Sequence, residues 1–372
     1  MTRVKRAIIC STSNFATDYR IHKLRETLVS MGYEVELLGR RHPKEERVES
    51  EGVRYMRLLT WHSAIFYAEF NVRLMWRLLW GKRVDLVVSI ALDTLLGCQM
   101  AARMRGERLL WDSHELFPEV PEIANKPRVK KVWWWVQDVC MRRLRKGDVT
   151  MTVCKTIADI LGERYGREFL VVRNVPMGTR KVCEKKREGA FTLLYQGAVN
   201  VGRGIEETIG ALGMLEGVRL VIVGGGDVME EVKALVKEKG LEDRVDIVGR
   251  VPFTALPEYM ADADMGLALF KDMSLNYRYA LPNRVFDFIH ARLPILGSKL
   301  PEIERIVEGE DVGVCIETLT AESIAEAVRR VISEPELLKK WKENMGRVAE
   351  VYTWERDSEK FIKALKQGED SK

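Results

Sequence analysis

The feature that most constrains this chain is a rhythm. Short apolar runs rich in β-branched residues alternate with stretches of helical period, and the rhythm stops once and restarts. Lys5–Cys10 opens it, followed by the polar loop Ser11–Tyr19, a helix-period stretch from Ile21 to Met31 that closes at Gly32, and a second run at Tyr33–Leu38. Further strands are expected at Val53–Leu58, Asp85–Ile90, Arg108–Trp111, Val149–Val153 and Phe169–Val172. Residues 176–190, PMGTRKVCEKKREGA, break the pattern with Pro, Gly and seven charged side chains and almost nothing to bury. The rhythm then returns, with strands expected at Phe191–Tyr195, Arg219–Val223, Val245–Val248, Met265–Leu269, Pro294–Leu296 and Val312–Ile316. Strands that alternate with helices form parallel sheets covered on both faces. The expectation is an α/β chain of two doubly wound domains facing a cleft, 1–175 and 191–353, joined by a linker at 176–190. A C-terminal segment, 354–372, supplies one more helix and a disordered tail.

Composition removes several function classes. The 372 residues carry 60 Lys and Arg against 55 Asp and Glu, a net charge of +5, too small to argue for nucleic acid. The six cysteines are scattered without a CxxC pair, which argues against structural zinc and for a reducing compartment. The amino-terminal apolar run is too short for a signal peptide, and no window reaches the ~20 uncharged apolar residues of a membrane span. A cytoplasmic protein is expected. There is no GxxxxGK[ST], no GxSxG and no HExxH, so a P-loop NTPase, a serine-hydrolase elbow and a zincin are excluded; no metal site and no cofactor are expected.

The densest chemistry lies in residues 272–304. Pro282 is suited to open a helix, which leaves the N–H groups of Asn283 and Arg284 at its positive end, where anions bind. Arg284 adds a fixed charge there, and Asp287 lies one turn along. Further upstream, Asp112-Ser113-His114-Glu115 directly follows a strand, and open parallel sheets bind ligands at the carboxyl ends of their strands. His114 there responds to pH near neutrality; the competing reading is a helix cap at Asp112 or Ser113. In the stretch 195–204, Gly197 admits close backbone approach and Arg203 can clamp a phosphate. Gly224-Gly225-Gly226 follows a strand, but without GxGxxG spacing it reads as a tight turn.

Two segments mix apolar, aromatic and basic side chains. In 64–80, Glu69, Arg73 and Arg77 form one charged stripe at spacing four on an otherwise apolar helix. In 131–146, three tryptophans precede Arg142, Arg143, Arg145 and Lys146. Helices of this kind either cover a sheet and snorkel their cations or lie on an anionic membrane surface.

From its first strand to Trp354 the chain resembles the retaining glycosyltransferases of family GT4, which have the GT-B fold of two Rossmann-like domains. The resemblance rests on Asp18-Tyr19-Arg20 in the first loop, DSHE at 112–115, RNVP at 173–176, YQG at 195–197, Arg203-Gly204, LPEYMADAD at 256–264, LPNRVFDF at 281–288 and YTWE at 352–355, in that order. It implies an acceptor-binding first domain, a donor-binding second domain and a last helix that packs back on the first. The family pairs two glutamates separated by seven residues. Here the second corresponds to Asp287, which would hold the ribose hydroxyls, and the first to Tyr279, which has no carboxylate for the sugar. The resemblance further places Gly249, Arg250 and Val251 at the nucleotide base, and Gly197, Pro282, Asn283, Arg284 and Arg203 at the diphosphate. It places His114 at the transferred sugar, with Asn14, Asp18, Arg20, Asp112 and Glu115 on the acceptor or sugar side. The first loop departs from the family in lacking adjacent glycines.

Together these readings imply transfer of a sugar from a nucleotide-diphosphate sugar to an acceptor hydroxyl, with His114, Arg203 and Arg284 in catalytic roles. The acceptor would be a glycan or a lipid-linked sugar, at an anionic membrane surface met through 64–80 and 131–146. A nucleotide-sugar 2-epimerase of the same fold, or a non-catalytic sugar-nucleotide binder, are the alternatives.

Overall fold

The computed structural model describes residues 4–41, 48, 50–61, 63–179 and 189–370. It divides into two compact units, Met1–Asn174 with Asp357–Lys372, and Val175–Arg356. Most of the segment read as a linker, residues 180–188, lies outside the described residues.

The first unit is built on seven strands: β1 (Lys5–Ser11), β2 (Tyr33–Arg40), β3 (Val53–Met56), β4 (Leu86–Ile90), β5 (Arg108–Ser113), β6 (Val149–Thr152) and β7 (Leu170–Val171). They lie in the order β3-β2-β1-β4-β5-β6-β7, and every pairing is parallel. Strands β4, β5 and β6 are buried along their whole length, as parallel strands covered on both faces are. The second unit repeats the plan with β8 (Phe191–Gln196), β9 (Val218–Val223), β10 (Val245–Gly249), β11 (Met265–Ala268), β12 (Ile295–Ser298) and β13 (Gly313–Ile316), again all parallel, in the order β10-β9-β8-β11-β12-β13. Both sheets reverse their winding beside their first strand, between β1 and β4 and between β8 and β11. The loops leaving those strands diverge there and open a crevice. The two α/β sheets expected from the sequence are present, strand for strand.

One expected element differs. The helix read over 131–146 runs over Pro127–Met141 instead, with Pro127 in its first turn, and Arg142–Lys146 lie beyond its end. Proline is pre-set for a helical first turn. At the other end the Arg145 N–H donates to Asp148 Oδ2 at 2.7 Å, which draws the chain into the turn before β6. The tryptophans are divided as well. The Trp133 ring packs edge-on against Tyr67 and Phe117, and Trp134 donates to Glu119 Oε1 at 3.2 Å beneath the Arg164 guanidinium. Only Trp135 of the three faces solvent, 64% exposed.

The last helix, Trp354–Asp370, belongs to the first unit from Asp357 onward. Asp357 accepts the Arg173 N–H at 2.7 Å, and the Arg108 guanidinium donates to the Leu365 carbonyl at 2.7 Å. Phe361 and Leu365 are fully buried. Phe361→Ala should therefore destabilise the first unit by about 3–5 kcal/mol. Hydrogen exchange of β5 and β6 amides should accelerate accordingly, while those of β8 and β9 stay as they are.

Candidate active site

In the second unit the site residues gather at the winding reversal. Tyr195 and Gln196 end β8, Phe270 follows β11, and the helix Asn283–Ala291 begins beside them with Pro282 as its cap. That helix seats deeply. Val285, Phe286, Phe288 and Ile289 are buried, and a Cβ on Gly266 of β11 would fall 2.5 Å from the Phe288 ring. No side chain caps its N-terminus, so the first amides keep their donors for a ligand.

Two guanidiniums meet here. Arg284 is buried, its guanidinium carbon 4.4 Å from the Tyr195 ring centroid and 5.5 Å from that of Phe270. Arg203 lies between Phe270 at 4.3 Å and Tyr277 at 4.6 Å. Aromatic faces, not carboxylates, hold both cations. Arg203 Nε and Arg284 Nη1 are buried without a hydrogen-bond partner among the described residues. Burial lowers the Arg203 pKa, and the charge of Arg284 adds to the effect. Buried cations with unmet donors cost free energy that an anion would return.

Asp287 is buried and accepts from Gln196 Nε2 at 3.1 Å. Gly197 stands against Arg284, since a Cβ there would lie 3.3 Å from Nη2. The run 224–226 is more than a turn. A Cβ on Gly224 would lie 1.8 Å from the Gly197 carbonyl, so the loops after β8 and β9 pack backbone to backbone. Gly249 follows on β10, its carbonyl accepting the Gly224 N–H at 2.8 Å, and Arg250 and Val251 lead out of the strand. Tyr279 caps the short helix Leu275–Arg278, its N–H donating to the Leu275 carbonyl at 3.1 Å.

In the first unit the ends of β1, β4 and β5 meet. Strand β5 continues through Ser113, so Asp112 and Ser113 are strand residues and not a helix cap. Asp112 is fully buried and takes both Arg20 donors, Nε and Nη2, at 2.8 Å each. It also bonds His114 Nε2 at 2.9 Å. Burial alone would raise the Asp112 pKa; Arg20 and His114 outweigh it and hold the carboxyl well below the usual range. Burial likewise opposes a charged His114, but the Asp112 carboxylate outweighs it and the His114 pKa is raised. The ring is thus oriented by a buried ion pair and keeps its charge to higher pH than a free imidazole. Asn14 turns the first loop, its Oδ1 accepting the Ala16 N–H at 2.9 Å, and Asp18 caps the first helix through the Ile21 N–H at 3.3 Å. Glu115 is half-buried beside His114.

Asp93, after β4, was not singled out from the sequence. It is buried, Oδ2 accepts from the Thr12 hydroxyl, and Oδ1 has no partner among the described residues. Its backbone is clamped, with Asn71 Nδ2 donating to the Asp93 carbonyl at 2.7 Å and Asn71 Oδ1 accepting the Gly97 N–H at 2.8 Å. Ala91, two residues earlier, sits at φ 61°, a left-handed conformation that non-glycine residues seldom adopt. Burial pushes Asp93 up to about 6. The signal was available, since Asp93 closely follows the end of β4 as Asp112 closes β5.

Comparisons with known proteins agree with this geometry. Residues 17–178 match the glycosyl transferase 4-like domain, and residues 180–348 match glycosyl transferases group 1. The chain belongs to the GT4-like glycosyltransferases of GT-B fold. It is 24% identical over 163 residues to an alpha-D-kanosaminyltransferase from Streptomyces kanamyceticus, a match that spans 41% of this chain and 39% of that protein. Among solved structures, sucrose-phosphate synthase from Thermosynechococcus elongatus superposes with a TM-score of 0.81 at 16% identity, covering 99% of this chain and 100% of that one. Anabaena HepE in complex with UDP and glucose superposes with a TM-score of 0.75 at 12% identity, over 98% and 100% of the two chains.

The linkage of Asp93 has a definite sign. A folded pKa of about 6 lies above the unfolded value of about 3.9, so the native state holds this proton more tightly and loses stability as pH rises from about 4 to about 6. Asp93→Asn should remove that loss. Urea titrations of variant and wild type should diverge across this window in favour of the variant, by on the order of 1–3 kcal/mol, and run parallel above it.

Proposed function

We propose that the protein transfers a sugar from a nucleotide-diphosphate sugar to an acceptor hydroxyl with retention of configuration at the anomeric carbon. The observation that carries this reading is the pair of buried guanidiniums, Arg203 and Arg284, each with an unmet donor, beside the uncapped helix N-terminus at Asn283. A diphosphate satisfies all three at once. As the glycosidic bond to the donor breaks, the leaving diphosphate gains negative charge, and preorganised donors are worth most where charge develops. Asp287, held by Gln196, takes the ribose hydroxyls, and Gly249, Arg250 and Val251 border the base. Tyr279 stands where relatives hold the sugar with a carboxylate, so this chain would grip the sugar by a ring and hydroxyl. No side-chain nucleophile is needed if a donor phosphate oxygen accepts the acceptor proton in a front-face reaction. No metal enters this scheme.

The first unit takes the acceptor side. His114, fixed by Asp112 and Arg20, reaches the transferred sugar. The unpartnered oxygen of Asp93 is available to an acceptor hydroxyl. The similarity to HepE, solved with UDP and glucose, favours a nucleotide sugar as donor.

On this reading the acceptor would lie at an anionic membrane face. Three helices, Ser63–Trp80, Leu95–Arg105 and Pro127–Met141, pack in sequence, the middle one touching both others. Their outer side exposes Trp76 at 51%, Trp80 at 74%, Met104 at 69% and Trp135 at 64%. Arg73, Arg103 and Lys131 on the same helices, and Arg142 and Arg143 just after the last of them, are exposed as well. No helix among the described residues is long and apolar enough to cross a membrane; a surface of this kind lies on one. The protein would work in the cytoplasm, peripheral on the inner membrane face.

A thermal-shift panel of nucleotide sugars should give one donor that raises the melting temperature. Arg284→Ala should abolish that shift. Arg203→Ala should lower turnover about 10²–10³-fold, and if both donor binding and turnover survived that change the phosphate assignment would fall. Isomerised donor in an NMR assay without acceptor would point to an epimerase instead. Separately, wild type should sediment with phosphatidylglycerol vesicles at low salt, and Trp76→Ser/Trp80→Ser should sediment less. No sedimentation of the wild type would remove the membrane reading while leaving the transfer reading intact.

A further inference from the structure

The first unit holds a second polar cavity that the transfer reaction does not use. It lies at the edge strand β3, measures about 620 Å³, and is lined by Arg41, Arg54, Arg57, Arg77, Tyr55 and Trp61 among others, with no Asp or Glu among the described residues of its wall. Arg54 pairs with Glu36 at 3.0 Å. Arg41, Arg57 and Arg77 have no hydrogen bond or ion pair to the described residues.

Scattered surface arginines are ordinary, but here three guanidiniums without partners among the described residues line one cavity, and the fold ties together the segments that carry two of them. The Glu69 carboxylate accepts from the Leu59 and Thr60 N–H groups at 2.9 Å each and from the Thr60 hydroxyl at 2.7 Å. Arg73, one turn along the same helix, bonds Glu69 at 2.7 Å. These bonds tie the loop that carries Arg57 and Trp61 to the helix that carries Arg77. The charged stripe read from the sequence is thus a fastener for this wall, not merely a solvated face. Tyr55 is fixed from behind by the Phe15 ring at 5.6 Å and accepts the Val48 N–H at 3.2 Å. Leu58 closes the floor and is buried.

We propose that this cavity binds a phosphate-bearing ligand, a phosphomonoester or diphosphate group carried by a soluble molecule or by a lipid. Guanidinium forks match the paired oxygens of phosphate, and three unpaired cations balance an anion of charge two or three. Tyr55 and Trp61 offer faces to the rest of the ligand. The site is independent of the transfer reading, since none of its residues belongs to the donor or acceptor groups described above.

The test uses full-length protein carrying Arg284→Ala, which impairs the diphosphate site of the second unit, titrated calorimetrically with inorganic pyrophosphate at low salt. Binding should persist there, and adding Arg41→Gln/Arg57→Gln should weaken it by about tenfold or more at an unchanged melting temperature. Absence of pyrophosphate binding in the Arg284→Ala protein overturns the proposal, as does binding indifferent to Arg41 and Arg57. Vesicles of phosphatidylcholine with and without phosphatidic acid distinguish the source. Loss of phosphatidic-acid-dependent sedimentation in Arg41→Gln/Arg57→Gln assigns the phosphate to a lipid. Unchanged sedimentation beside lost pyrophosphate binding assigns it to a soluble ligand. Nucleotide-sugar binding by Arg41→Gln/Arg57→Gln, with Arg284 intact, reports on the transfer reading alone.

Discussion

Everything in this protein depends on the strands of each sheet running the same way. A parallel pair cannot be closed by a tight turn, so its strands need crossovers, mostly helical here, and all carboxyl ends fall on one edge. Where the winding reverses, beside β1 and beside β8, neighbouring loops part and leave a crevice. The chemistry of each unit sits on those loops. Thr12, Asp93, Asp112 and His114 line one, and Gly197, Arg203, Phe270 and Arg284 line the other.

The two crevices solve the problem of buried charge in opposite ways. In the first unit Arg20 and Asp112 neutralise each other, and the pair spends its charge on orienting His114. In the second unit Arg203 and Arg284 are left without carboxylates and stack on Tyr195, Phe270 and Tyr277. A guanidinium against a ring keeps its charge and its in-plane donors, whereas a salt bridge would consume both. One unit neutralises its charge and fixes a polar ring with it; the other keeps positive charge with unmet donors among the described residues.

Much of this was legible in the sequence. The short, mostly apolar runs located all thirteen strands, because a strand buried on both faces is mostly apolar. The strand-end positions of DSHE and YQG marked both crevices. What was not legible is which side chains stack and which pair. Phe270, Tyr277 and Tyr195 are far apart in sequence and read as core aromatics. Asp93 is one carboxylate among many until its burial is known. In 131–146 composition reports an aromatic and basic segment, and only the structure shows that Trp133 and Trp134 pack on Tyr67, Phe117, Glu119 and Arg164.

The sequence alone therefore determined the strands and their parallel arrangement, since these follow from local periodicity and from the rule that parallel strands need crossovers. Only the tertiary structure decided the electrostatics: that Arg20 is spent on Asp112, that Arg203 and Arg284 keep unmet donors, and that Asp93 is raised to about 6. Charge in a protein takes its meaning from burial and from partners distant along the chain, and neither is written in the spacing of residues.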